Sequence, residues 1–288
     1  MNNPRRGRFA PTPSGPLHLG SLLTAVASWL DARQHGEWLL RIDDLDQPRC
    51  RLEHELAIEQ SLFAFALTSS LPISHQHDRT ARYEQSVTAL GQRVPLFFCD
   101  CSRRDLAGEE DPCCVRDCRH RRCDPQNSSL RADLTGLASC AVVDRSLGDI
   151  AFDPKIQRDV VVRRRDGLHA YQLACVIDDA DQGITDVVRG ADLLASTRWQ
   201  LALQQALGLP PPSYLHVPLV VEADGSKLAK SRHAAAIDPR LAVPQLRQVL
   251  GWLKQKTPPT KCDSAAAILD WARTRWEPAR FAGLATVC

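Results

Sequence analysis

Two strings far apart in the chain carry residues suited to phosphate. The first is His18-Leu19-Gly20-Ser21, which closes a loop punctuated by Pro11, Pro13, Gly15 and Pro16. A neutral imidazole at a helix start can donate a hydrogen bond to a phosphate oxygen. Glycine lets the chain approach a ligand closely, and the free amides of a helix N-terminus favour an anion. The second is Gly225-Ser226-Lys227-Leu228-Ala229-Lys230-Ser231, a glycine-led turn with two lysines three residues apart. Such lysines can reach a polyphosphate and neutralise the charge that builds on it. Taken singly, each string reads more readily as an ordinary surface turn.

Charged heads also stand at the ends of apolar runs. Trp38-Leu39-Leu40-Arg41-Ile42 reads as a buried strand ending in Asp43, Asp44 and Asp46. Acids at the carboxyl end of a parallel strand lie in the crevice where open α/β sheets bind ligands; a charged turn is the alternative. The run from Ile184 to Gly190 ends on Arg189, whose fork suits a bidentate carboxylate, with a surface ion pair as the plainer reading. Tyr171 falls where the chain returns to the sheet and reads as a residue at its mouth. Arg79 and Arg82 fit a solvated helix face better than a phosphate site.

Six of the eleven cysteines lie between Cys99 and Cys123. CxC followed by CxxxC can close four thiolates around a tetrahedral zinc ion, and four thiolates leave no open position, so the metal would be structural. The preferred set is Cys99, Cys101, Cys114 and Cys118, with Cys113 and Cys123 as spares. Arg103, Arg104, Arg116, Arg119, Arg121 and Arg122 surround it, a basic knuckle for nucleic acid or simply solvated charge. The scattered Cys50, Cys140, Cys175, Cys262 and Cys288 read as small core or surface residues.

The elements that must position these groups follow from periodicity. Arg8–Asp46 reads as strand, loop, amphipathic helix and strand, the first unit of a nucleotide-binding α/β fold, with Ser21 as helix N-cap and Gly36 as its stop. Residues 52–92 read as helices, Leu130–Asp153 as strands and turns, and Asp159–Arg164 as a strand re-entering the sheet. A helix follows over Asp192–Gly208, a strand over Tyr214–Val221, and two or three short helices after Ser231. The expected division is 1–95 and 158–236 as two halves of a catalytic domain, 96–157 as an insertion, and 237–288 as a short helical region. A hydrophobic content of 44% supports a real core, and a net charge of +2 does not announce a nucleic-acid binder. With no signal peptide and no membrane-length apolar run, the expectation is a soluble, cytoplasmic, monomeric protein with no membrane partner.

In combination these strings resemble a known family. Pro11–Ser21 (PTPSGPLHLGS), Arg41–Asp46 (RIDDLD), the run from Tyr171 (YQLACVIDDADQGITDVVRGADLL) and Gly225–Ser231 (GSKLAKS) resemble the glutamyl-type class I aminoacyl-tRNA synthetases over roughly residues 5–240. HLGS matches their HIGH signature and KLAKS their KMSKS signature. The short region after the lysines and the cysteine knuckle resemble the truncated glutamyl-Q tRNA(Asp) synthetase family, which has no anticodon-binding domain. The implied fold is α/β: a class I synthetase Rossmann-type parallel sheet with a zinc-bearing insertion and a short helical C-terminal tail.

The resemblance implies an enzyme that activates L-glutamate with ATP and Mg²⁺, without tRNA, and passes it to queuosine at the wobble position of tRNA(Asp), whose anticodon loop would enter the cleft. It implies catalytic roles for His18, Lys227 and Lys230, and ATP contacts from His18, Gly20, Ser21 and Lys230. Glutamate would be held by Arg8, Phe9, Ala10, Pro11, Thr12, Asp43, Tyr171 and Arg189. One structural zinc per chain is implied. The alternatives are a truncated enzyme charging a tRNA 3′ end, and a non-catalytic zinc-bearing RNA-binding paralogue. Three departures stand out: Asp43 where the family commonly has Glu, Ala229 where the signature has serine, and Cys114 at a zinc position that is often Tyr. Cys175 stands where tRNA-charging relatives often place Asn.

Overall fold

The computed structural model describes residues 5–102, 105, 113–138, 140–153, 158–221 and 236–288. The chain starts with strand β1 (Arg5–Phe9), helix α1 (Leu19–Arg33) and strand β2 (Gly36–Ile42), the expected first unit. β1 and β2 pair in parallel from Arg5↔Gly36 to Phe9↔Leu40. Only glycine fits at position 36, because a Cβ there would lie 1.8 Å from the carbonyl oxygen of Arg5. Gly36 thus opens the strand, and α1 stops earlier, at Arg33. The other end also differs from expectation. α1 begins at Leu19 with extended His18 as its N-cap residue and no side-chain cap, so Ser21 lies inside the first turn.

Helices α2 (Leu52–Ala64) and α3 (Thr80–Gly91) flank the short strand β3 (Ser74–His75). Then come β4 (Leu96–Cys99), β5 (Ser129–Asp133), β6 (Ala141–Asp144), β7 (Gly148–Ala151) and β8 (Asp159–Arg163). Helix α4 (Tyr171–Asp181), β9 (Asp186–Gly190), α5 (Leu194–Leu207), β10 (Ser213–Val217) and β11 (Leu219–Val220) complete the central part. Helices α6 (Ala242–Trp252) and α7 (Ala265–Arg273) and strand β12 (Thr286–Val287) follow.

The main sheet runs β3-β2-β1-β9-β10-β6-β7, parallel except for the β6–β7 hairpin at its edge. The strand over Asp159–Arg163 does not re-enter it. β8 pairs antiparallel with β5, which pairs with β4, in a separate three-stranded sheet. An apolar strand of this kind satisfies either partner; here Val160 and Val162 bury against Leu130, Ala132 and the helices α3, α4 and α5. The stretch from Leu130 to Asp153 is accordingly split between the two sheets.

α1 is buried on nearly every side, and so is less amphipathic than expected. One side lies on the sheet and another against α6 and α7, whose Leu246, Leu250 and Leu269 share its core. Asp31, within α1, accepts from the Trp276 indole at 3.0 Å and from Arg145 at 2.9 and 2.6 Å, tying two distant chain segments to one helix. Among the described residues no helix is long and apolar enough to cross a membrane.

Candidate active site

The carboxyl ends of parallel β1, β2 and β9 open on one side of the sheet, and a cavity of about 500 Å³ lies there. Arg8 to Thr12 enter from β1, Asp43 from β2 and Arg189 from β9. Tyr171 and Cys175 enter from the first turns of α4, and His18, Gly20 and Ser21 from the start of α1. Every expected glutamate and ATP residue within the described part of the chain therefore lines one space. Lys227 and Lys230 lie outside the described residues. The residues flanking their segment do reach the cavity: Val220 lines it, and Ala236 bridges to His18, with Ile237 N–H donating to Leu17 O at 2.9 Å.

Beneath the cavity lies a network of charges that sequence reading did not identify. Arg8 Nε donates to Asp179 Oδ1 at 3.0 Å. Arg41, wholly buried, donates to the same oxygen at 2.7 Å and to Asp43 Oδ1 at 2.8 Å. Asp178, 3.7 Å from Arg41, accepts from Gln76 at 2.8 Å, Arg79 at 2.6 Å and Tyr83 at 2.9 Å. Arg79 and Arg82 also grip Asp181, so they tie α3 to α4 while staying partly exposed to solvent. Burial opposes ionisation of Asp179, but Arg8 and Arg41 outweigh it and its pKa is lowered. Asp43 goes the other way: burial raises its pKa by more than Arg41 lowers it. The Cys175 Sγ lies 3.7 Å from Asp43 Oδ2, and burial pushes that thiol up to about 12. The available signal was a charge inside an apolar run, Arg41 in WLLRI and Asp178-Asp179 after CVI; a buried ion needs a partner.

Arg189 is also buried and fully scaffolded. Its Nε points at His216 Nε2 at 3.2 Å, Nη1 donates to Gln200 Oε1 at 2.6 Å, and Nη2 donates to Thr197 Oγ1 at 2.7 Å. Its guanidinium carbon lies 5.2 Å from the centre of the Tyr214 ring.

A second cavity, about 460 Å³, adjoins the first and shares Thr12, Asp43 and Tyr171 with it. Its remaining polar lining includes Asp46, Arg49, Arg164 and His169. Asp46 accepts from Arg49 at 2.8 Å and from Arg164 at 3.2 Å. Tyr171, the first residue of α4, thus stands between two spaces.

Residues 5–243 match the model of the class I tRNA synthetases (E and Q), catalytic domain. A glutamyl-Q tRNA(Asp) synthetase from Xanthomonas campestris pv. campestris (strain 8004) is 44% identical over 291 residues, covering 99% of this chain and 95% of the relative. The chain belongs to this family. A second member, from Ectopseudomonas mendocina (strain ymp), is 43% identical, covering 98% of this chain and 96% of its own. Among solved structures, a glutamate-tRNA synthetase from Elizabethkingia anophelis superposes with a TM-score of 0.77 at 20% identity, over 97% of this chain and 67% of that one. That likeness shows the fold: a class I synthetase catalytic domain.

In this member of the glutamyl-Q tRNA(Asp) synthetase family the expected four cysteines come together. The sulfurs of Cys99, Cys101, Cys114 and Cys118 all lie within 4.8 Å of one another, with Cys101 3.9 Å from Cys114 and 3.8 Å from Cys118. Tetrahedral zinc with bonds of about 2.3 Å puts its sulfurs roughly 3.8 Å apart, so the donor set and spacing fit such an ion. Cys113 points elsewhere, its thiol 3.5 Å from the Asp159 carbonyl oxygen. Asp159 is buried, accepts from the Cys114 amide at 3.0 Å and pairs with Arg131 and Arg119, fastening the knuckle to β8 and β5. Arg116 pairs with Asp105 and Arg121 with Asp100, so the charge of these two is neutralised locally, while Arg103 and Arg104 lie outside the described residues.

Proposed function

We propose that this protein activates L-glutamate with ATP, without tRNA, and transfers the glutamyl group to queuosine at the wobble position of tRNA(Asp). The observation that carries this is the meeting of Arg8, Asp43, Tyr171 and Arg189 with the start of α1 in one cavity, in a chain 44% identical to a glutamyl-Q tRNA(Asp) synthetase.

The roles follow from charge. Arg189 and Arg8, with the backbone through Thr12, hold the carboxylates of glutamate; Tyr171 adds a hydrogen bond, and Asp43 takes the ammonium. His18, the amides at Gly20 and Ser21, Lys227 and Lys230 hold the phosphates of ATP, which enters with Mg²⁺. An oxygen of the glutamate α-carboxylate attacks the α-phosphorus, and the bond to the β-phosphate oxygen breaks, releasing pyrophosphate. Positioning and neutralised charge do most of this work. A hydroxyl of queuosine then attacks the glutamyl carbonyl and AMP leaves. The second cavity meets the first at Thr12, Asp43 and Tyr171, which supports it as the entry for the acceptor base. Cys99, Cys101, Cys114 and Cys118 hold a structural zinc that fixes the insertion.

The test is glutamate-dependent ATP–pyrophosphate exchange without tRNA, followed by glutamate transfer to tRNA(Asp) with and without queuosine. Exchange, and labelling only of the queuosine-containing tRNA, are expected. Sustained labelling of queuosine-free tRNA would make the protein a 3′-charging enzyme, and RNA binding without exchange would make it non-catalytic.

A further inference from the structure

We infer that His216 and Asp144 are positioning residues for Arg189, and that glutamate recognition depends on His216 being neutral with its proton on Nδ1. This rests on the assignment of Arg189 to a glutamate carboxylate.

The donor and acceptor roles are forced. His216 is fully buried on β10, and its Nδ1 lies 2.7 Å from Asp144 Oδ2. A carboxylate only accepts, so Nδ1 carries the proton; Nε2 then carries a lone pair. Arg189 Nε can only donate, and it faces that lone pair at 3.2 Å. Protonating Nε2 would set one donor against another beside a permanent cation. With Gln200 and Thr197 taking one N–H each, three of the five guanidinium donors are fixed by the protein, and the rest are what a carboxylate can engage.

Asp144 is itself pinned. It ends β6, at the turn of the β6–β7 hairpin, and its Oδ1 accepts from the amides of Ser146 at 2.9 Å and Leu147 at 3.0 Å. Burial opposes its ionisation, but His216 and those two amides outweigh it, so its pKa is lowered. Among the described residues, the groups that face the imidazole are Asp144 from β6, Arg189 from β9, Asp192 just after it, Thr197 Oγ1 at 3.4 Å from α5, and the Tyr214 ring stacked at 6.0 Å on the same strand. Burial is the main force lowering the His216 pKa below 6.5, and Arg189 adds to it, while Asp144 and Asp192 oppose it.

The experiment measures KM for glutamate, KM for ATP and kcat in tRNA-independent exchange for the wild type, His216→Gln, His216→Asn and Asp144→Asn. Glutamine can place Oε1 where Nε2 stood; asparagine reaches only the Nδ1 position. In Asp144→Asn the turn amides hold Oδ1, so the new NH₂ faces Nδ1 and drives the proton to Nε2. His216→Asn and Asp144→Asn should each raise the glutamate KM about tenfold, the scale of one unpaired buried donor, with the ATP KM within about twofold. His216→Gln should stay nearer the wild type. The wild-type glutamate KM should climb as the pH falls through the lowered His216 pKa, and His216→Gln should flatten that rise. Wild-type glutamate KM in both His216→Asn and Asp144→Asn would overturn the inference, as would parallel increases for glutamate and ATP. If His216→Asn does not fold, Asp144→Asn decides alone. Absence of exchange in the wild type would instead overturn the proposed function, and this inference with it.

Discussion

Arg8 and Arg41 meet at one oxygen: Asp179 Oδ1 accepts from Arg8 at 3.0 Å and from Arg41 at 2.7 Å. Arg8 lines the cavity and Arg41 does not. Asp179 therefore sets the position of a proposed substrate ligand and balances the charge of its buried neighbour in the same contact.

Replacing Asp179 with Asn should destabilise the protein by about 3 kcal/mol, because two buried guanidinium groups lose their shared anion. Urea unfolding at pH 7 measures this. The pKa of Asp179 is lowered from 3.8, so its stabilisation is present above that value and is lost as the pH falls through the folded-state value. The acid limb of the stability curve should accordingly be shallower in the variant. An unchanged urea midpoint would remove the network from any account of stability.

Asp43→Asn should separate recognition from folding. Asparagine Oδ1 can still accept from Arg41 Nε, and the site no longer buries an ion whose pKa is raised by burial. Melting temperature should change little, while the glutamate KM rises at least about tenfold through loss of a charge-assisted contact. A variant that binds glutamate normally would show that the ammonium is held elsewhere.

Lys230→Ala should lower kcat for pyrophosphate exchange by about a hundredfold, the scale of removing one charge-stabilising donor, with a small change in glutamate KM. His18→Ala should act in the same direction. Near wild-type exchange by Lys230→Ala contradicts its assigned role.

Purified protein should carry about one zinc per chain, measurable by elemental analysis. A Cys99→Ser/Cys101→Ser variant should lose the metal and melt at lower temperature. Metal-free protein with undiminished stability would mean that the four thiols do not need an ion.

What the sequence made legible was local or modular. Proline and glycine around His18 mark a loop wherever they occur, and Arg189 at the end of an apolar run announces a strand-end charge. The four cysteines were legible because few other arrangements explain such spacing. Longer-range partners were not. Arg41 and Asp179 lie 138 positions apart, and Asp144 and His216 72 apart, and no periodicity links such pairs. The apolar run marks a strand over Asp159–Arg163 but not its sheet, since so short a segment does not encode its neighbour, and the strand lies in the three-stranded sheet rather than the main one. Ser21 has the right residue type for a cap, but the cap position falls three residues earlier, at His18, with no side-chain cap.

The clasp on α1 has a genetic consequence. That helix begins at the side of the cavity proposed to hold phosphate and is gripped along its length by α6, α7 and Trp276. A lesion at Leu246 or Trp276, remote from any substrate, would loosen the helix that presents His18. In a screen it would score as a nucleotide-handling mutant, more severe when warm, and a second change restoring the packing would suppress it without touching the cleft.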